Sequence, residues 1–160
     1  MDTNSSVFID QNDRIMAALA HITAIIPMVG IIAPIIIWAT QKDKSEYVAF
    51  QSLQAIIYQL SIILAWFLGM GCYMTAFFGM FILIPLSESF SNSVPMDIFG
   101  VFLPFFVMLV MMVGGIVYII YGVVAAVMTS QGKNFRYVVI GNRLEKYLSE
   151  GKSENGKAVL

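Results

Sequence analysis

The sequence predicts an all-α fold, a polytopic transmembrane helical bundle with three long spans and a short amphipathic C-terminal helix. Composition is the first reason: 59% of the 160 residues are hydrophobic and 12% charged, against roughly 45–50% and 25% in a soluble domain. The second is where the charges fall. All ten acids and nine bases lie outside three stretches, Ile15 to Gln41, Tyr47 to Ser87 and Ile98 to Gly132. A hydrocarbon core about 30 Å thick takes roughly 20 apolar residues of helix, and each stretch reaches that length. The organisation that follows is a polar N-terminal arm at 1–13, a single transmembrane domain at 14–148 and a disordered cytoplasmic tail at 149–160.

The arm carries Asp2, Asp10 and Asp13 and no base, unlike a secretory signal or an organelle transit peptide. The first apolar stretch is therefore expected to stay in the chain, and a bacterial cytoplasmic (inner) membrane is its expected home. Asn12 or Asp13 is placed to cap the first helix. That stretch is interrupted by Pro27, Gly30 and Pro34, which break or kink a helix. One span from Ile15 to Thr40 covers about 39 Å and puts the N-terminus outside, whereas a re-entrant pair, 15–26 and 31–40, covers about 15–18 Å per half. The pair gives a four-helix count with all bases on one side; the single broken span is the expectation adopted.

The second stretch is roughly 60 Å long as a helix, too long to cross entirely. Its polar start, Val48 to Gln54, suits a membrane interface, with a bend at Gly69-Met70-Gly71 and a stop at Pro85. The third has Pro104 near its start and then runs unbroken from Phe105 to Thr129. Beyond it, residues 135–149 alternate apolar and basic positions like an interfacial helix, with Lys133, Arg136, Arg143 and Lys146 at headgroup level. The tail and the Lys42/Lys44 connection hold bases, while Glu88 to Asp97 has none. The positive-inside rule therefore puts the C-terminus in the cytoplasm and the 88–97 connection outside.

Candidate functional residues are few. His21, Gln51, Gln54, Gln59 and Ser61 form a polar helix face, which serves either as a hydrophilic lining or as interhelical hydrogen bonds worth about 0.6–2 kcal/mol each. His21 is expected to pair with a carbonyl freed by Pro27, or with Gln54 or Gln59. Ala20, Ala24, Gly115, Gly122 and Ala126 form small-residue stripes suited to close helix packing, within the chain or against a second copy. Met70, Cys72 and Met74 are soft ligands, but their helical spacing splays them apart; packing is their expected use, with Cys72 buried. No acid or base lies inside an apolar stretch, and there is no phosphate loop, metal cluster or activated nucleophile. The expectation is no enzyme, no cofactor, no metal and, at a net charge of −1, no nucleic-acid partner.

Three local patterns carry a family resemblance. Leu19-Ala20-His21-Ile22 leads into the broken run ending Pro34-Ile35-Ile36-Ile37-Trp38; Tyr47 to Ile56 contains Phe50-Gln51-Ser52-Leu53-Gln54-Ala55; and Gly132-Lys133-Asn134-Phe135-Arg136-Tyr137 follows Ala126. Together, over about 13–148, they resemble small bacterial membrane proteins related to the channel subunit of the chloroplast inner-envelope protein translocon (Tic-type). Ala49 and Gln51 stand where the translocon relatives favour Arg and Asn. The resemblance implies a three- or four-helix bundle and a role in protein translocation or assembly. The expected function is an accessory subunit that binds another membrane protein or forms a homo-oligomer in the lipid bilayer. The alternative is a small oligomeric channel or pore for ions, solutes or polypeptide.

Overall fold

The computed structural model describes residues 9–26, 28–90, 95–138 and, beyond them, 140, 141, 143, 144 and 146. The expected tail at 149–160, residues 1–8 of the arm and the break at Pro27 lie outside the described residues. The chain forms four helices, α1 (Gln11–Ile22), α2 (Ile32–Gln41), α3 (Glu46–Phe90) and α4 (Pro95–Ser130), with a 3-10 turn at Thr23–Ile25.

α1 begins earlier than expected, because Asp10 and not Asn12 or Asp13 is the cap: its Oδ1 accepts the Gln11 N–H at 2.7 Å. The single broken span is also corrected. α1 has 12 residues and α2 has 10, about 18 and 15 Å, and neither is long enough to cross. The chain reverses between them at Gly30, which is buried. A Cβ there would lie 2.0 Å from Thr23 O and 2.5 Å from Ile26 O, so only glycine fits. Met28 takes the left-handed φ of 65° that the reversal requires. Pro34 sits in the first turn of α2, where its missing N–H has no helical acceptor to lose. α1 and α2 pack on one another, and Ser45 Oγ donates to Asp13 Oδ2 at 2.6 Å, so the pair returns to its own starting level. α1 and α2 form a helical hairpin and not one span.

α3 runs 45 residues without interruption, through both the Gly69–Gly71 bend and the Pro85 stop expected of it. A helical glycine costs only about 1 kcal/mol, and Met111 fills the space beside Gly69, its Sδ 3.1 Å from the position of an added Cβ. Pro85 removes one backbone bond, which membrane helices tolerate. α4 opens on Pro95, the position that suits proline. It closes with Gly132 at φ 74°, where Gly132 N donates to Thr129 O at 2.9 Å and Lys133 N to Met128 O at 3.1 Å, a Schellman cap.

Two compact units result, Met1–Leu60 with Ile120–Leu160, and Ser61–Ile119. In the first, many of the buried residues are small or polar, Ala17, Ala20, Ala24, Ala55, Ala125 and Ala126 beside His21, Gln51, Ser52, Gln54, Gln59 and Thr129, with Val48, Phe135, Tyr137 and Leu144 as the larger buried side chains. In the second, large apolar side chains such as Leu64, Phe67, Phe78, Phe105, Phe106 and Val117 are exposed. Rows of this kind face hydrocarbon and not water. Glu46–Ile82 and Gly100–Ser130 are long and apolar enough to cross a membrane; this is a membrane protein with helical spans. The second unit also holds an open apolar groove of about 730 Å³, lined by Phe67, Gly71, Cys72, Gly79, Leu103 and Val107 among others. Cys72 is exposed, not buried as expected, because much of α3 there has no protein neighbour.

Candidate functional site

The polar residues of the first unit converge on a short non-helical segment, residues 133–138, that follows α4 and is called the strand below for its exposed-buried alternation at 134–138. From 134 to 138 burial alternates, with Phe135 and Tyr137 buried and Asn134, Arg136 and Val138 exposed, a period of two and not of 3.6; Lys133 before them is exposed as well. The expected interfacial helix therefore does not begin at 135; helical backbone resumes at 140. The reason lies in α3. Gln54 meets the strand at two points, its Nε2 donating to Phe135 O at 3.1 Å and its Oε1 accepting the Tyr137 N–H at 3.1 Å. A primary amide reproduces the donor and acceptor of a peptide group, so Gln54 stands in for a neighbouring strand. Gln51 adds Nε2–H bonds to Phe135 O at 3.1 Å and to Asn134 Oδ1 at 2.9 Å.

These bonds settle the state of His21. Because Gln51 Nε2 points at a backbone carbonyl, Gln51 Oε1 is the atom facing His21 Nε2 at 3.1 Å, and an oxygen acceptor requires that Nε2 carry the proton. Nδ1 is then the acceptor for the Tyr137 hydroxyl at 3.1 Å. The relay runs in one direction, from Tyr137 O–H through the neutral imidazole to Gln51 and on to Phe135 O. Tyr137 stacks on Tyr58 at 4.1 Å between ring centroids and meets Tyr121 edge-on at 5.3 Å, which shields the relay. Tyr47 closes the other end, its hydroxyl 3.0 Å from Lys133 O and 3.3 Å from Thr129 O.

The structure thus joins His21, Gln51 and Gln54 but separates the other two polar candidates. Gln59 bonds to Thr23 Oγ1 at 3.3 Å and Ala20 O at 3.5 Å, bracing the end of α1. Ser61 is exposed in the second unit. His21 does not pair with Gln54 or Gln59; its partners among the described residues are Gln51 and Tyr137, and the break at Pro27 lies outside those residues. Of the small residues, Ala20, Ala24, Gly122 and Ala126 are buried, and a Cβ on Gly122 would lie 2.9 Å from Ala24 Cβ. Those stripes pack within the chain. Gly115 lies apart, in the second unit, with Trp66 as its neighbour. Lys133, Arg136, Arg143 and Lys146 are all exposed. Tyr137, Asn134 and Phe135 are central residues that sequence reasoning missed, and their signal was the Phe-x-Tyr alternation.

A family model of the magnetosome magnetite crystal formation proteins, MamF/MmsF, matches residues 12–144. The chain belongs to that family. No curated protein and no solved structure matches it. The MamF/MmsF match spans most of the chain, from α1 through the clasped strand, and overturns the likeness to translocon-related proteins, whose three patterns were short and local. With it go the expected accessory subunit of a translocation or assembly complex and the alternative channel. In this MamF/MmsF protein the glutamines are bonded to the chain itself, and the face read as a lining is the fastener of the first unit.

Proposed function

We propose that this protein resides in the magnetosome membrane and takes part in magnetite crystal formation without a catalytic step of its own. The observation that carries this reading is the family match over 12–144, which takes in α1 to α4 and the clasped strand as one unit of sequence. A non-catalytic role is supported by the state of the polar cluster: the relay atoms of His21, Gln51 and Gln54 are engaged by named partners within the chain. In this reading the basic end lies in the cytoplasm and the base-free Glu88–Asp97 connection lies in the lumen, where the crystal grows.

The test is deletion of the gene in a magnetite-forming bacterium, with electron microscopy of the crystals and fractionation of a tagged copy. The expected result is altered crystal size or number, restored by the wild-type gene, with the tagged protein in purified magnetosome membranes. Crystals unchanged by the deletion, or a protein absent from those membranes, would overturn the reading.

A further inference from the structure

We propose that the basic end of the first unit is a binding surface for the headgroups of anionic phospholipids in the membrane that holds it. The hydrogen bonds bring three separate basic segments to one end. Asp13 bonds to Ser45, Tyr47 to Lys133 O, and Gln51 to Asn134, while the Arg14 guanidinium lies against Gly132, its Nε 2.8 Å from where a Cβ would be. These contacts bring the segments of Arg14, Lys42/Lys44 and Lys133 together, with Arg136, Arg143 and Lys146 exposed on the chain that follows and Asp10, Asp13, Asp43 and Glu46 the acids of the same segments among the described residues. Asp10 caps α1, and Asp13 accepts the Ser45 hydroxyl.

The surface is built and held in place. Lys133 and Arg136 are exposed on a segment whose Phe135 and Tyr137 side chains are buried and whose backbone is bonded to Gln51, Gln54 and Tyr47. Arg143 and Lys146 are exposed on either side of buried Leu144. Depth is marked by Trp38, which carries the Lys42 ammonium 5.5 Å above its ring; tryptophan and lysine together are the signature of the boundary between hydrocarbon and headgroups. A basic cluster at that depth meets lipid phosphates directly. A headgroup of net negative charge is retained, and a zwitterionic one, whose own ammonium cancels its phosphate, is not.

The test uses the full chain in neutral detergent micelles, titrated with phosphatidylglycerol or phosphatidylcholine and read by native mass spectrometry. Phosphatidylglycerol should be retained in preference, with affinity falling about fivefold for each base neutralised. R143Q/K146Q, outside the clasped strand, should lose on the order of 25-fold, K133Q/R136Q/R143Q/K146Q more, and K133R/K146R should bind as wild type. Thermal unfolding in phosphatidylcholine identifies any variant that fails to fold, and R143Q/K146Q then carries the test. Equal retention of the two lipids, unchanged affinity in R143Q/K146Q, or displacement of phosphatidylglycerol by millimolar inorganic phosphate would overturn the proposal.

Discussion

Replacing Gln54 with leucine tests whether a side-chain amide holds the strand after α4. The substitution nearly conserves volume, so packing changes little, and its cost falls on two backbone groups. Phe135 O loses one donor but keeps Gln51 Nε2 at 3.1 Å. The Tyr137 N–H loses its Gln54 acceptor in a residue only 2% exposed. A buried donor left unpaired costs about 1–3 kcal/mol, and 2 kcal/mol, the middle of that range, corresponds to about 30-fold more frequent opening of the strand. Trypsin cleavage after Arg136 reads this opening when reclosing is fast, so Gln54→Leu should be cut about 30-fold faster than wild type in the same detergent. Gln51→Leu should show a comparable increase, because it orphans the His21 Nε2–H. In the double variant Phe135 O loses both of its donors, so the combined cost should exceed the sum of the two, by about 1–3 kcal/mol. Cleavage within twofold of wild type in Gln54→Leu, or strict additivity in the cycle, would refute the two-point clasp.

Gly30→Ala should lower thermal stability in detergent by about 3 kcal/mol or more, because its Cβ would meet backbone oxygens at 2.0 and 2.5 Å that cannot move without undoing the reversal. Met28→Gly, at φ 65°, should raise stability by about 1 kcal/mol in the same assay. Gly122→Ala should destabilise by about 1–3 kcal/mol against Ala24 Cβ at 2.9 Å, with partial recovery in Gly122→Ala/Ala24→Gly. Gly115→Ala, whose Cβ meets Trp66 at an ordinary 3.7 Å, should be neutral or stabilising by up to about 1 kcal/mol through helix propensity.

The two long helices were legible because hydrocarbon imposes a length and excludes charge, and both constraints are visible residue by residue. The first apolar stretch was not. Pro27, Gly30 and Pro34 look the same in a kinked span and in a reversal; what separates the two is the approach of Thr23 O and Ile26 O to Gly30, a relation in space that no pattern records. The polar site was half legible. His21, Gln51 and Gln54 stood out as polar groups in apolar surroundings, but the Tyr137 partner lies 116 residues from His21. The strand that carries it was absorbed into a helical reading by the spacing of Val139, Ile140, Leu144 and Leu148. Gln51, one of the two positions noted as departing from the translocon relatives, proved to be the centre of the relay.

The reversal between α1 and α2 explains why this unit needs its polar side chains. Two helices of about 18 and 15 Å are joined by a non-helical turn among exposed apolar side chains, and a backbone group left unpaired in apolar surroundings costs several kcal/mol. The exposed residues at the turn, Ile25, Ile26, Met28, Val29 and Ile32, are all apolar, so they provide no side-chain partners for its backbone. The backbone bonds to itself, Ile26 N to Thr23 O, Gly30 N to Ile26 O and Ile32 N to Val29 O. Pro34 adds no donor where a donor would be stranded. The remaining need is at the C-terminal end of α1, where the Ala20 carbonyl is met by the Thr23 hydroxyl at 3.1 Å and by Gln59 Nε2 at 3.5 Å. Gln59 on α3 is therefore a brace for the end of α1, just as Gln51 and Gln54 brace the segment after α4. In a unit this small, the buried glutamines keep the irregular backbone satisfied, and that requirement accounts for their positions.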